Sequence, residues 1–299
     1  MSKTRIARRS VLALTILSVA MLISACSPLK MVNVIAPSDG IDALTGLAYG
    51  QNPRQKLDLY RPAQADGLLP TVLFLYGGSW KRGSRDSYAF VGRALARHGF
   101  LVAVADYRTY PDVTFPAFVH DGAMAVAWLH EHAPKHGGKS DGIHMIGHSA
   151  GAHIAALIAV QPEYLRAEGL SRDILGRWIG LAGPYAFYPS QVRSVRAIFE
   201  RTREEDARPV TQVVSGAPEA LLLHGKDDRT VDPFNSGEMA ASLRATGSEG
   251  HAHLYSGVGH ATLVLSLAEP FTAIAPTLKD SVRFFKTGIK PGTQQTATQ

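Results

Sequence analysis

Apolar stretches of strand length alternate with longer amphipathic stretches over most of the chain. "LLPTVLFLYGG", "FLVAVADY", "GIHMIGH", "RWIGLAGPY", "EALLLHG" and "HAHLYSG" are largely unbroken apolar runs that end in glycine or a polar residue. Runs of this kind belong to strands covered on both faces. Helical spacing fills the intervals in "SYAFVGRALARHG", closed by Gly99, in "FPAFVHDGAMAVAWLHEHA", in "SAGAHIAALIAV" and in "FNSGEMAASLRATG". The alternation predicts a mostly parallel sheet with helices on both faces. A shorter run, "QKLDLYRP", is expected to add an antiparallel edge strand. Residues 187–216 break the rhythm, being polar, charged and longer than a crossover helix. Either part of this segment folds over the C-terminal edge of the sheet as a lid, or it is an ordinary surface excursion.

The first 25 residues stand apart from this pattern. "MSKTRIARRSVLALTILSVAMLISAC" has a basic head, an apolar middle and a small-residue exit, which is the build of a secretory signal. Ile23-Ser24-Ala25-Cys26 resembles the lipobox of bacterial lipoproteins, which implies a lipid on Cys26 and membrane attachment through it. A single-span anchor, or a cleaved signal with an incidental cysteine, is the alternative. Arg8-Arg9 fits a twin-arginine signal poorly. Cys26 is the only cysteine, so no internal disulfide can form. Ser27 follows it in place of the aspartate that marks inner-membrane retention, which leans toward the periplasmic side of an outer membrane. The expected organisation is a signal over 1–25, a tether over 26–41, one α/β domain over 42–285 and a polar tail over 286–299.

Removing the leader also changes the charge. It carries four of the 31 basic residues and no acid, leaving 27 against 25, a net +2. A nucleic-acid partner would need clustered excess positive charge on the folded part, and none is expected.

Chemistry concentrates where strand runs meet helical ones. Gly147-His148-Ser149-Ala150-Gly151 fits G-x-S-x-G between a predicted strand and a predicted helix. Small flanking residues permit the sharp turn that lifts a serine oxygen above a sheet, and the helix N-terminus adds partial positive charge beside it. Ser149 is thus either a nucleophile or a plain helix cap. Partners favour the nucleophile. Asp228 falls at the H-G-x-x-D-x-x-V position after the fifth buried run, and His260 follows the sixth, in "SGVGHAT". A serine hydroxyl needs a base to take its proton, and the base needs a carboxylate to fix its tautomer. Asp227 and Asp232 compete for the acid's role, with spacing favouring Asp228. Of the 12 histidines, His251 and His253 read as packing or surface residues and His148 and His153 as structural. Asp106 and Asp121 also read as structural. An oxyanion requires amide donors, and "LYGGSWKRG" after the strongest early strand offers them. By position the donors are Gly78, Ser79 and Ala150. No metal or cofactor is called for.

As a set, "YGGSWKRG", "DYR", "FPAFVHDGAMAVAWL", "GHSAGAHIA" and "HGKDDRTV" resemble the α/β-hydrolase superfamily, in its carboxylesterase and hormone-sensitive-lipase-like branch. The order Ser149, Asp228, His260 is that family's order. The G-G-x-W loop is also similar to that of arylformamidases, and "SAGAHIA" with "GPY" looks closest to prenylcysteine methylesterases. The resemblance runs from Asp58 to His260 and implies an α/β-hydrolase fold, serine carboxylesterase activity and a small-molecule ester as substrate. Formamide hydrolysis, or a binding role on a hydrolase fold, is the alternative. The loop departs from the family in opening with Tyr76 where histidine is usual. Tyr76 and Trp80 are expected to line the substrate pocket.

Overall fold

The computed structural model describes residues 28–292. Its sheet has eight strands: β1 (Ile41–Ala48), β2 (Lys56–Pro62), β3 (Thr71–Leu75), β4 (Leu101–Ala105), β5 (Ile143–His148), β6 (Leu175–Leu181), β7 (Ala220–Gly225) and β8 (Gly250–Tyr255). They lie in the order β1-β2-β4-β3-β5-β6-β7-β8. β2 runs antiparallel to β1 and β4, and the remaining pairs are parallel. Every residue of β3, β4 and β7 is buried, which is why these strands read as unbroken apolar runs.

Nine helices accompany the strands among the described residues: α1 (Pro28–Ile35), α2 (Ala89–Arg97), α3 (Ala117–His132), α4 (Ala150–Val160), α5 (Glu163–Arg166), α6 (Arg196–Phe199), α7 (Phe234–Ala245), α8 (His260–Leu265) and α9 (Thr277–Thr287). α2 packs with α9, and α3 with α4, forming two layers with the sheet between them. All eleven residues of α4 are buried between sheet and α3. The helix that follows Ser149 is therefore the least mobile in its layer by burial.

Three expectations need correction. "QKLDLYRP" is the second strand, because β1 pairs outside it from Ile41↔Pro62 to Ala48↔Lys56. β1 buries none of its residues, so ladder hydrogen bonds hold it and no apolar alternation announces it. Within the expected tether, residues 28–36 form a docked element. Val32 and Ala36 are buried, Asn33 Oδ1 accepts from the Phe90 amide at 2.8 Å, and Arg93 Nη1 donates to Asn33 O at 2.9 Å. The polar tail begins later than expected, since α9 extends to Thr287 and Lys290 Nζ stands 2.6 Å from Glu219 and 2.7 Å from Glu249. The predicted signal and Cys26 lie outside the described residues.

The 187–216 segment does cover the sheet's C-terminal edge. It consists of α6 and short turns, held by a 2.7 Å contact from His153 Nε2 to Ala207 O and by the Phe115 amide donating to Ile198 O at 3.0 Å. Phe199 inserts among Phe115, Phe118 and Trp80. Aromatic packing thus ties this cover to α3, α4 and the loop after β3.

Candidate active site

β5 ends at His148, α4 starts at Ala150, and Ser149 makes the turn between them with φ 54° and ψ −119°. That backbone lies outside the favoured basins of an L-residue and costs about 1–3 kcal/mol. Its surroundings enforce it. The Ser149 amide donates to Leu181 O on β6 at 2.8 Å, and a Cβ on Gly151 would stand 2.0 Å from Leu75 O. Only glycine fits there, because β3 and the elbow touch backbone to backbone. The Ser149 hydroxyl makes no capping bond to α4, which removes the plain-cap reading.

Asp228 and His260 arrive from the ends of β7 and β8. Asp228 Oδ2 lies 2.7 Å from His260 Nδ1, while Oδ1 accepts the amides of Thr230 at 2.8 Å and Val231 at 2.9 Å. Burial works to raise the pKa of this carboxyl, but hydrogen bonds from His224, His260 and the Val231 amide outweigh it. The group stays a carboxylate far below the usual range. Neither rival acid meets a histidine among the described residues: Asp232 is exposed, lines the cavity beside Ser149 and accepts from the Phe234 amide, and Asp227 is exposed. His260 and Ser149 share a recess of about 400 Å³ with Gly78 and His148.

No spacing or motif in the sequence marks His224 as a site residue. Its ring, buried in β7, places Nε2 3.1 Å from Asp228 Oδ2 and Nδ1 2.8 Å from Ser236 Oγ. It stands in the quoted "HG" before the aspartate, where a histidine inside a buried strand reads as core. His148 packs its ring 4.8 Å from that of His260, with Nε2 3.2 Å from His260 O. Burial lowers its pKa to about 3 and that of His153 to about 4. Both rings stay neutral in the fold, whereas the unfolded chain protonates them near 6.5. Between pH 6.5 and 4 the unfolded state binds more protons, so stability falls as pH falls, by about 2–3 kcal/mol per unit near pH 5. Chemical denaturation from pH 7 to pH 4.5 checks this, and a flat profile contradicts it.

The loop after β3 carries positive φ at Gly78 (147°), Ser79 (54°) and Trp80 (56°). Gly78 O accepts from the amides of Lys81 and Arg82, which fixes the turn. Among the described residues, the amides of Gly78, Ser79 and Ala150 have no acceptor. Ser79 and Ala150 line, with Ser149, an apolar cavity of about 300 Å³ whose walls include Trp80, Phe187, Val192 and Val195. Trp80 both lines this cavity and packs on Phe118, His153 and Phe199.

Tyr76 is not in the pocket. Its fully buried ring stacks between Tyr88 at 5.4 Å and Tyr107 at 4.8 Å, and its hydroxyl donates to Asp106 Oδ1 at 2.7 Å. A tyrosine hydroxyl taken out of water needs such a partner, and the polar cluster of Arg54, Arg85 and Asp106 behind the loop supplies it. From there Tyr107 Oη donates to Tyr76 O at 2.8 Å and Arg54 to Gly83 O at 2.9 Å, bracing the loop from the rear. Asp106 and Asp121 are structural, the latter bound by Arg108 and Gln55.

An esterase B from Lactobacillus rhamnosis has the same architecture, with a TM-score of 0.75 at 22% identity over 93% of this chain and 96% of that one. A truncated carbohydrate esterase from gut microbiota gives 0.70 at 18% identity over 84% and 98%. The isoprenylcysteine alpha-carbonyl methylesterase ICME of Arabidopsis thaliana is 32% identical over 241 residues, which is 73% of this chain and 56% of that one. The chain belongs to the α/β-hydrolase superfamily. The family model BD-FAE matches this α/β hydrolase over residues 57–174, a span that holds the loop after β3 and the elbow but neither Asp228 nor His260. The esterase LipC of Mycobacterium tuberculosis is 30% identical over 235 residues, covering 71% and 58%. This α/β hydrolase therefore spans somewhat more than half the length of the curated relatives it matches.

Proposed function

We propose that the protein is a serine carboxylic ester hydrolase that works through an acyl-enzyme. One observation carries the reading: the 2.7 Å Asp228–His260 contact opens onto the recess that holds a strained Ser149 and unpaired amides. Ser149 Oγ attacks the ester carbonyl while His260 Nε2 takes its proton, and Asp228 accepts from Nδ1–H to fix that tautomer. The oxyanion sits on the amides of Gly78, Ser79 and Ala150. Collapse expels the alcohol, protonated by His260, and leaves the acyl group on Ser149. Water then repeats the steps to release the acid. The names of the relatives, all ester hydrolases, support this chemistry.

An apolar cavity of about 300 Å³ is small for a binding pocket and suits short to medium acyl chains. Turnover of p-nitrophenyl esters is expected to rise about tenfold from acetate to butyrate, the scale of added methylenes in an apolar pocket, and to fall by laurate. An aryl formamide is expected to be the poorer substrate. Preference for the formamide would move the assignment to amide chemistry. Well-folded protein that cleaves neither would leave a binding role.

We place the protein in the cell envelope, held by a lipid on Cys26, on the strength of its leader and the lipobox-like Ile23–Cys26. The periplasmic side of an outer membrane is the favoured site. Mass spectrometry of the membrane-extracted chain tests this, since lipidation requires an acylated Cys26 at a new N-terminus.

A further inference from the structure

We propose that the outward face of α1, with the rim opposite it, seats on a lipid bilayer and turns the mouth of the Ser149 site toward it. The esters that reach Ser149 are then those held at the lipid surface. The proposal rests on the ester-hydrolase reading and on the lipid anchor, and it adds a surface that neither assigns.

Distance is the first ground. Leu29, in α1, lines the same recess as Ser149 and His260. Cys26 precedes it by three residues in the sequence, and an extended chain covers at most about 3.6 Å per residue, so the link from a lipid on Cys26 to Leu29 has a reach of at most about 11 Å. The tether expected over 26–41 would have allowed roughly 50 Å by the same rule. Docking of α1 removes that slack.

Chemistry of the exposed face is the second. While Val32 and Ala36 turn inward, Met31 is 50%, Val34 85% and Ile35 56% exposed. A helix lying on a protein in water normally shows polar residues on that side. Across the cleft, Val192 is 38% exposed in the apolar cavity wall, Tyr188 is 45% exposed beside it in the cover, and Phe234, at the start of α7 next to the cavity residue Asn235, is 61% exposed. These six are the majority of the ten large apolar side chains exposed among the described residues, three of them on α1 and three in the cover and at the start of α7. Arg82 is exposed in the recess and has no carboxylate partner among the described residues, which suits anionic headgroups. No helix of the described residues is long and apolar enough to cross a membrane. A lipid anchor fixes where the chain is held but not how it is turned, and a second apolar contact is what orients it.

The test uses the full chain, lipidated and reconstituted in phosphatidylethanolamine–phosphatidylglycerol vesicles, beside its Val34→Glu/Ile35→Glu variant. Each is assayed with p-nitrophenyl butyrate in water and with a butyryl ester of a vesicle-embedded lipid alcohol. The variant is expected to keep its turnover of the water-soluble ester and to lose about tenfold on the vesicle-borne one, since two charges replace apolar side chains that would otherwise be buried in lipid. Equal vesicle-borne turnover overturns the proposal, as does wild-type protein that cleaves the soluble ester and ignores the vesicle-borne one. A variant that loses the soluble activity overturns it too, because the face would then belong to the fold. Unchanged vesicle turnover with a change in oligomeric mass assigns the patch to a second copy of the chain. Wild-type protein inert toward the soluble ester sinks the ester-hydrolase reading instead.

Discussion

Replacing Ser149 by alanine is expected to lower kcat/KM for p-nitrophenyl butyrate by about 10⁴-fold or more while leaving the melting temperature within a few degrees. The hydroxyl of Ser149 makes no capping bond, and alanine keeps the Cβ that packs there, so the hydroxyl serves the reaction and not the fold. A second substitution separates strain from chemistry. Ser149→Gly removes the same hydroxyl but also relieves the φ of 54°, so it is expected to be equally inactive and about 1–3 kcal/mol more stable than the alanine variant. Steady-state kinetics and chemical denaturation of the two variants check both halves. An alanine variant that keeps a tenth of the wild-type rate would remove Ser149 from the chemistry.

Asp228→Asn is expected to cost about 10³–10⁴-fold in kcat near neutral pH with KM little changed. Oδ2 receives His260 Nδ1 at 2.7 Å and His224 Nε2 at 3.1 Å, while Oδ1 receives two amides. Asparagine has one acceptor oxygen where this geometry uses two. If its oxygen keeps the Thr230 and Val231 amides, its NH₂ confronts His260 and forces the other tautomer. The base then presents N–H to Ser149 and cannot take its proton. Asp232 lines the cavity but touches no histidine among the described residues, so Asp232→Asn is expected to leave kcat nearly unchanged. Parallel kinetics on the two variants decide the identity of the acid, and a loss confined to the Asp232 variant would reverse it.

The sheet and the elbow were legible because both are written in local sequence. β3 to β7 are short, apolar and bounded by glycine or polar residues, and the G-x-S-x-G glycines answer to contacts that only glycine allows. Asp228 was legible from its spacing after a buried run. β1 and α1 were not, since one is held by a ladder of backbone bonds and the other by Asn33 meeting Phe90 and Arg93, more than fifty positions away. Tyr76 was misplaced for a similar reason. Its direction depends on Asp106 and Arg54, which the fold brings behind the loop from separate segments. His224 was overlooked because its partner is set by the turn after β7, which no apolar pattern describes.

The most direct test of the central claim is the intact mass of the protein after treatment with a fluorophosphonate, followed by peptide mapping. A nucleophilic Ser149 beside an intact Asp228–His260 pair predicts a single adduct per chain, on the peptide that carries Ser149, with ester hydrolysis lost in step with labelling. Folded protein that stays unlabelled, or that labels elsewhere while hydrolysis persists, would contradict it.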